Sequence, residues 1–169
     1  KNSSNGAGVI VLRLNGDLVL DSVTIRSNSA TNSSALFVAE GATNTEIVRS
    51  AFFDNTASEF AIISVESSGK FSFADSTVSQ TIGGGAIALS NNPHSIIIEN
   101  SKFVDNRTGN DAWAMLFLST FGELKFSENT VTGNNGSFRF DAAEANISKN
   151  VFENNDCYGT FDEDFQYMW

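Results

Sequence analysis

Apolar and polar positions recur together along this chain with a spacing of about 26 residues. The clearest unit is Gly84–Asn106, in which short apolar runs alternate with polar turns: GGAIALSNNPHSIIIENSKFVDN. Short apolar runs bounded by Gly, Asn, Asp and Ser predict β-strands rather than helices. Three such strands and three corners in one unit indicate one coil of a parallel β-helix.

A polar marker position identifies equivalent residues in successive units. It falls at steps of 27, 26, 25, 28 and 21 residues, on Asn28, Asn55, Thr81, Asn106, Asn134 and Asn155. Three positions before the marker the residues are apolar: Ile25, Phe52, Val78, Phe103, Val131 and Phe152. Eight positions before it they are apolar again: Leu20, Ile47, Phe73, Ile98, Phe126 and Ile147. Columns that stay in phase at one period predict a solenoid.

Two further columns extend the pattern toward the start of each unit. Small residues lie twenty positions before the marker: Gly8, Ala35, Ala61, Ala86 and Ala114. A mostly apolar column lies eighteen positions before it: Ile10, Phe37, Ile63, Ala88 and Leu116. Because side chains alternate along a strand, Ile96 and Ile98 should face the core and Ile97 should face outward. We expect an all-β, right-handed parallel β-helix of about six coils with three short strands per coil.

The marker asparagines are predicted to be structural. Asparagine tolerates left-handed backbone torsions and hydrogen-bonds within turns, so it suits a corner. Stacked amides can also bond from one coil to the next, as in cross-β assemblies. We therefore expect a ladder of side chains formed by Asn28, Asn55, Asn106, Asn134 and Asn155.

Domain organisation follows from where the columns begin and end. Residues 1–8 form a polar lead-in, residues 9–155 the β-helix, and residues 156–169 a partial coil, a cap or the start of a further module. With 169 residues and 41% hydrophobic content, the chain is long enough for one continuous core. Both ends look cut, so we expect the chain to be part of a longer protein.

Two short motifs carry a family resemblance. Gly-Gly-Ala-Ile occurs at Gly84–Ile87, and Phe-x-x-Asn occurs at Phe52–Asn55, Phe103–Asn106 and Phe152–Asn155. Together they resemble the repeat of the chlamydial polymorphic membrane proteins, which is also found in large surface proteins of some protists and algae. The resemblance implies a secreted, adhesive β-helix that is located outside the cell or on its surface.

Charge and cysteine content narrow the classes of partner. A net charge of −10 argues against nucleic acid and against anionic lipid. No apolar run is long enough to span a membrane, and the single Cys157 cannot form an internal disulfide.

Acidic residues are concentrated in the last 17 positions: Glu153, Asp156, Asp162, Glu163 and Asp164. They predict a solvated cap or tail, because charge runs are usually solvated and these residues lack the spacing of a calcium-binding loop.

Outward carboxylates do not converge on a hydrolase-like pair. Asp54 and Asp105 share a column but lie two coils apart, and Asp21 and Glu99 share another column in which Val48 and Ala74 lie between them. A glycoside hydrolase needs two carboxylates that flank one bond. The sequence therefore predicts no catalytic pair at these positions.

The remaining polar candidates read as surface groups. Asp75 falls beside Arg49 and Asn100 of the adjacent coils, which indicates surface pairing. The single histidine, His94, follows a proline in a turn, where an exposed position is expected. We predict no catalytic residue, no metal site and no cofactor.

Five Asn-x-Ser/Thr sequons occur, at Asn2, Asn32, Asn106, Asn135 and Asn146. In a secreted eukaryotic chain, Asn32 and Asn135 are the candidate glycan carriers because they fall in corners. A glycan on Asn106 would remove that residue from the proposed ladder.

These patterns predict a non-enzymatic, extracellular structural and adhesive segment of a larger surface or filament protein. It would present corner loops to protein or glycan partners, and self-association or contacts with other chains of an assembly remain open. The alternative is a carbohydrate-binding or carbohydrate-active β-helix of the pectate-lyase kind. Ice binding ranks behind both, because the outward positions lack a regular Thr-x-Thr array.

Overall fold

The chain folds into short strands that stack in parallel. The computed structural model describes residues 3–4, 10–12, 15–30, 35–57, 61–67, 69–90, 93–108 and 115–156. Within these ranges every strand pair is parallel and no helix occurs. The predicted parallel β-helix is therefore confirmed as a parallel β-solenoid. Its right-handed sense stays a prediction, in keeping with the hand of nearly all parallel crossovers.

Two narrow sheets flank the marker position. The sheet that follows the marker has two-residue strands: β1 (Ser3–Ser4), β5 (Ser29–Ala30), β8 (Thr56–Ala57), β12 (Ile82–Gly83) and β16 (Arg107–Thr108). The sheet that precedes it has three-residue strands: β4 (Thr24–Arg26), β7 (Ala51–Phe53), β11 (Thr77–Ser79), β15 (Lys102–Val104), β19 (Thr130–Thr132) and β22 (Val151–Glu153). Each sheet holds one strand from each coil that reaches it.

The largest sheet consists of two stacks joined by the long strand β6 (Leu36–Val48). The first stack pairs the start of β6 with β2 (Ile10–Leu12), β9 (Ile63–Ser67), β13 (Ile87–Ser90), β17 (Leu116–Ser119) and β20 (Phe138–Asp141). The second stack pairs the end of β6 with β3 (Gly16–Asp21), β10 (Lys70–Ala74), β14 (Ser95–Glu99), β18 (Glu123–Ser127) and β21 (Glu144–Ser148). The strand β6 passes through the corner between the stacks with a register shift between Val38 and Ala42.

The number of coils depends on the corner after the marker. Four successive coils end in a strand there, namely β5, β8, β12 and β16. Two further coils contribute to the other sheets and make only single bridges at this corner, between Arg107 and Asn135 and between Asn135 and Asp156. About four turns are thus fully formed, fewer than the six coils that the sequence predicted, because the last two coils make only single bridges at this corner. Six strands nevertheless stack in the three-residue sheet.

Strand register agrees with the two apolar columns nearest the marker. The three-residue sheet aligns Ile25, Phe52, Val78, Phe103, Val131 and Phe152. The second stack aligns Leu20, Ile47, Phe73, Ile98, Phe126 and Ile147. As predicted, Ile96 and Ile98 are buried while Ile97 is half-buried on the outer face.

The first stack differs from the predicted column by one residue in two coils. Leu36 and Ile87, rather than Phe37 and Ala88, align with Ile63. The small-residue column shifts with it, as the backbone hydrogen bonds show. The Ala35 carbonyl accepts a hydrogen bond from Ile10 N, and the Ala86 carbonyl accepts one from Ile63 N. The reason is the turn between the two stacks, which varies in length from coil to coil and lies between this strand and the marker.

The core is a continuous apolar column through the coils. Phenylalanine rings follow one another along it, with centroids 6.4 Å apart for Phe52 and Phe73, 5.8 Å for Phe73 and Phe103, and 6.3 Å for Phe103 and Phe126. These four side chains are fully buried, and burying one such ring contributes about 2–3 kcal/mol. The aromatic column therefore links the coils as well as filling them.

Two glycines let the turn between the stacks approach the preceding coil. A Cβ on Gly69 would lie 1.7 Å from the Thr43 carbonyl oxygen, and one on Gly122 would lie 1.9 Å from the His94 carbonyl oxygen. No side chain fits such a distance, so these positions require glycine for close backbone contact. The Gly69 carbonyl in turn accepts a hydrogen bond from His94 N at 2.7 Å.

Candidate functional site

The structure brings the five predicted asparagines together in one column at the marker corner. Asn28, Asn55, Asn106 and Asn134 are buried, with exposures of 8%, 1%, 1% and 1%. Asn28 Nδ2 donates to Asn55 Oδ1 at 3.2 Å, and Asn106 Nδ2 donates to Asn134 Oδ1 at 3.0 Å. Asn134 Nδ2 donates to Asn155 Oδ1, also at 3.0 Å. We call this column the marker ladder, and it includes Thr81.

Asn106 and Asn134 bond to the coil on either side of them. Asn106 Oδ1 accepts from Thr81 N at 3.2 Å and from Thr81 Oγ1 at 2.8 Å. Asn106 Nδ2 donates back to Val78 O at 2.9 Å and forward to Asn134 Oδ1. Because these polar atoms are buried, the bonds offset a desolvation cost of about 1–3 kcal/mol for each group that would otherwise be unpaired.

The marker residues do not themselves take left-handed torsions, contrary to the sequence-based expectation. The residue immediately before each marker does so: Ser27, Asp54, Gln80, Asp105, Gly133 and Asn154. This placement turns the backbone sharply and aims the next side chain inward. The marker amide is then free to bond along the stack rather than within its own turn.

A second polar column lies five positions before the marker, and sequence reasoning missed it. It consists of Ser50, Ser76, Ser101, Asn129 and Asn150, and we call it the serine column. Ser50 N donates to Ser76 Oγ at 2.9 Å, and Ser76 N donates to Ser101 Oγ at 3.2 Å. A serine or asparagine recurring at one fixed offset from the marker was the signal that could have revealed it.

The same left-handed turn precedes the serine column. The residues with positive φ there are Ser22, Arg49, Asp75, Asn100, Glu128 and Lys149. Each coil therefore carries two sharp corners, and an inward polar side chain follows most of them. Both columns use their polar atoms within the fold, so they can brace stacked coils but leave little for binding or catalysis.

Charged side chains pair on the outer surface between neighbouring coils. Lys125 Nζ lies 2.7 Å from Glu99 Oε2, and this bond raises the pKa of Lys125. The hydrogen bond from Ser22 and then that from Arg49 lower the pKa of Asp21. These pairs are solvent-exposed, so screening keeps their contribution to stability small.

The candidate carboxylates stay apart, and Asp75 bonds to one of its two expected neighbours, Asn100, but not to the other, Arg49. Asn100 Nδ2 donates to Asp75 Oδ1, whereas Arg49 bonds to Asp21. His94 is exposed in its turn. In the part of the chain that the structure describes, no group of three or more His, Cys, Asp or Glu side chains is placed to hold a metal ion.

A polar hollow of about 320 Å³ opens beside the first described coil. Its lining is formed by Ser27, Asn28, Ser29, Asp54 and Thr56. The single carboxylate, Asp54, accepts from Ser27 Oγ at 2.7 Å. One carboxylate bonded to a hydroxyl does not supply the acid and base that hydrolysis needs.

The sequons fall in three different environments. Asn106 is buried within the marker ladder, while Asn135 is half-buried and makes the backbone bridges at the marker corner. Asn146 is exposed on β21. Asn2 and Asn32 lie outside the described residues, as does Cys157. Of the two candidate glycan carriers, the structure therefore locates only Asn135.

Within the described ranges, no helix has the length and apolar character needed to cross a membrane. No protein-family model matches this chain, and no curated protein or solved structure is similar to it at a significant level.

Proposed function

We propose that this chain is a stiff, non-enzymatic structural and adhesive segment of a larger extracellular or cell-surface protein. The observation that carries the proposal is the marker ladder, which joins buried amides of successive coils. Together with the serine column and the aromatic core, it resists bending and sliding of one coil on the next. Such bracing suits a spacer that holds binding loops at a fixed distance.

The resemblance of the Gly-Gly-Ala-Ile and Phe-x-x-Asn motifs to the chlamydial polymorphic membrane protein repeat supports the same reading. In that family the repeat builds adhesive passenger domains. Both motifs have structural positions in this fold: Ala86 and Ile87 of the first motif and Phe103 of the second are core residues, and Asn106 is a ladder residue. The positions of the motifs therefore explain how the scaffold is built, and the proposed adhesive role depends on the family resemblance.

The recognition surface in this proposal is the set of corner loops, because loops tolerate variation that a stacked strand does not. The turn between the two stacks is the best example among the described residues. At this turn Phe121 is 80% exposed. Its partner would be a protein or glycan surface, or another chain of the same assembly.

The first experiment is the mass and full sequence of the parent polypeptide from its native source. A much larger protein with further coils and a surface anchor would support the proposal. A short secreted protein that ends near Trp169 would contradict it. In parallel, the purified chain should bind cells or matrix proteins without degrading polygalacturonate or related polysaccharides.

Carbohydrate binding is the second candidate, and exposed aromatic groups favour it. Phe121 projects from its turn, and Arg139 packs over the Phe117 ring at 5.4 Å on the outer face of the first stack. Sugar rings commonly bind against aromatic faces. A glycan array that responds to the wild-type chain but not to Phe121→Ala would favour this candidate over a protein partner.

A further inference from the structure

Three of the Asn-x-Ser/Thr sequons lie within the described residues, at Asn106, Asn135 and Asn146. An N-linked glycan is bulky and hydrophilic and is attached to the side-chain Nδ2 of asparagine. It therefore needs an amide that the fold does not use and a side chain that faces solvent. The three asparagines differ in how far they meet these two needs.

Asn106 meets neither need. The residue is 1% exposed, and its Nδ2 donates to Val78 O at 2.9 Å and to Asn134 Oδ1 at 3.0 Å. A glycan on this nitrogen would replace one of the two donated hydrogens and would have to leave the core between stacked coils. A chain modified at Asn106 therefore cannot complete the marker ladder at this coil.

Asn135 is half-buried in the corner that follows the marker. Its backbone N donates to Asn106 O at 2.8 Å, and its carbonyl accepts from the N and the Oγ1 of Thr108 at 2.9 and 3.2 Å. The next residue, Gly136, is buried, and a Cβ there would lie 2.5 Å from Thr108 Cγ2. This corner is closely packed, so it offers a glycan less room than an open strand face does.

Asn146 lies on the outer face of the strand β21. The residues on either side of it pair with Leu124 and Phe126 of the preceding coil, which are fully buried. Because side chains alternate along a strand, Asn146 points away from the core, and it is exposed. Its side chain makes no hydrogen bond within the described ranges. Asn146 therefore meets both needs.

The neighbouring coil also leaves space beside Asn146. Asn146 pairs with Lys125 of that coil, and the Lys125 ammonium group lies 2.7 Å from Glu99 Oε2. Glu99 belongs to the coil before that of Lys125. The long side chain of Lys125 therefore extends away from Asn146, and a glycan on Asn146 can project from the outer face without disturbing this ion pair.

We propose that Asn146 carries an N-linked glycan in the folded, secreted chain and that Asn106 does not. The inference rests on the extracellular location in the proposed function, because a glycan is added only to a chain that enters a eukaryotic secretory pathway. The transferase acts on the extended chain, before folding, and folding then decides which product is secreted. A glycan on Asn146 leaves both hydrogen-bond columns intact, whereas a glycan on Asn106 breaks the marker ladder.

The co-reactant of this step is an oligosaccharide linked to a lipid through a diphosphate. A bond forms between Asn146 Nδ2 and the anomeric carbon of the first sugar, and the bond from that carbon to the diphosphate breaks. The diphosphate leaves with the bonding electron pair, and the amide gives up one proton. The sequon hydroxyl that the transferase requires is that of Ser148, two residues after Asn146.

The full chain, secreted from eukaryotic cells behind an added signal peptide, tests this inference. Treatment with an N-glycosidase should lower the mass of the secreted chain and convert Asn146 to aspartate, which peptide mass mapping locates. Asn146→Gln should abolish this change, and so should Ser148→Ala, which keeps the asparagine and removes only the sequon hydroxyl. The matched control is Asn135→Gln, which should leave the glycan on Asn146 in place.

The secreted chain should carry no glycan on Asn106, and removal of the Asn146 glycan should leave the urea unfolding midpoint unchanged. A secreted, folded chain with an unmodified Asn146 would overturn the inference, and so would a glycan on Asn106 in the same fraction. Neither outcome depends on where the native protein is located. The mass and full sequence of the parent polypeptide test that location separately, so the two proposals can fail independently.

Discussion

The marker ladder and the serine column are both buried, and in both the side chains accept a hydrogen bond from a backbone N–H of the preceding coil. They differ in the hydrogen bonds that their side chains donate. Asn106 donates its two amide hydrogens to Val78 O and Asn134 Oδ1, in the coils before and after it. Ser76 donates its one hydroxyl hydrogen to Ala74 O within its own coil. Asn106 therefore joins three coils, and Ser76 joins two.

The residue type, rather than the corner, decides this difference. Where the serine column changes to asparagine, Asn129 Nδ2 donates to Ile98 O at 3.0 Å and to Asn150 Oδ1 at 3.1 Å. This is the bonding pattern of the marker ladder at the other corner. Either corner can therefore hold an asparagine whose side chain bonds to both neighbouring coils.

Replacing Asn106 should have the largest effect. Asn106→Leu leaves Thr81 N and Val78 O without their partners in a buried site, so we expect the free energy of unfolding to fall by about 3 kcal/mol. Urea denaturation measures this change. The control is Asn146→Leu at an exposed position on β21, and equal losses for both variants would contradict a special role for the marker ladder.

Replacing Ser76 should cost less. Ser76→Ala removes the acceptor of Ser50 N but breaks no side-chain bond to a third coil, so we expect a loss of about 1–2 kcal/mol. The same denaturation experiment gives the ratio of the stability losses at the two columns. A loss as large as that of Asn106→Leu would show that the number of joined coils does not set the cost.

Thr45 offers the opposite case, a buried polar atom outside both columns. Its Oγ1 is the one buried side-chain N or O atom in the described ranges without a hydrogen-bond partner, and the residue is 1% exposed. Thr45→Val removes this hydroxyl at nearly constant shape, so we expect a gain of about 1 kcal/mol. A loss on thermal or urea unfolding would mean that the hydroxyl has a partner in solution.

Thr81→Asn should repair the weakest step of the marker ladder. The Thr81 hydroxyl has a single hydrogen and donates it to Asn106 Oδ1, whereas an asparagine could also donate to the preceding coil. We expect a gain of up to about 1 kcal/mol. Slower amide exchange at Asn55 and its neighbours would accompany it, and unchanged exchange would count against the added bond.

The smallest effect concerns the surface. The pKa of Asp21 is lowered chiefly by the hydrogen bond from Ser22 and next by that from Arg49. A folded pKa below the unfolded one stabilises the fold above the unfolded pKa, and this contribution is lost as the pH falls through the folded pKa. Ser22→Ala should raise the Asp21 pKa toward its ordinary value, as carboxyl NMR titration would show.

Arg49→Gln provides the companion measurement for Asp21. Because Arg49 is the second cause of the lowered pKa, this variant should raise the pKa less than Ser22→Ala does. Neither variant should change stability at neutral pH as much as any ladder variant. A larger shift for Arg49→Gln would reverse the order of the two causes.

Sequence reasoning located the ladder asparagines but not their role in the backbone. It assigned the left-handed torsion to Asn55 and its equivalents, whereas the structure gives it to Asp54 and its equivalents. Both residue types tolerate that torsion, so composition alone does not separate them. The distinction comes from burial, because the inward residue must bond to other coils and the outward one need not.

The period, the strands and the columns near the marker were determined by the sequence itself. No turn of variable length lies between Phe52 and Asn55, or between Ile47 and Asn55, so counting residues gives the true register. The inward and outward alternation follows from the same local geometry. These features depend only on short-range spacing.

Tertiary structure decided the features that lie across a variable turn or between coils. Leu36 and Ile87 occupy the core positions because the turn between the stacks absorbs one residue more or less. A shift by one residue exchanges the two faces of a strand. The serine column and the pairing of Asn106 with Asn134 likewise join residues more than 20 positions apart. Only the stacking of coils brings those atoms into hydrogen-bond distance.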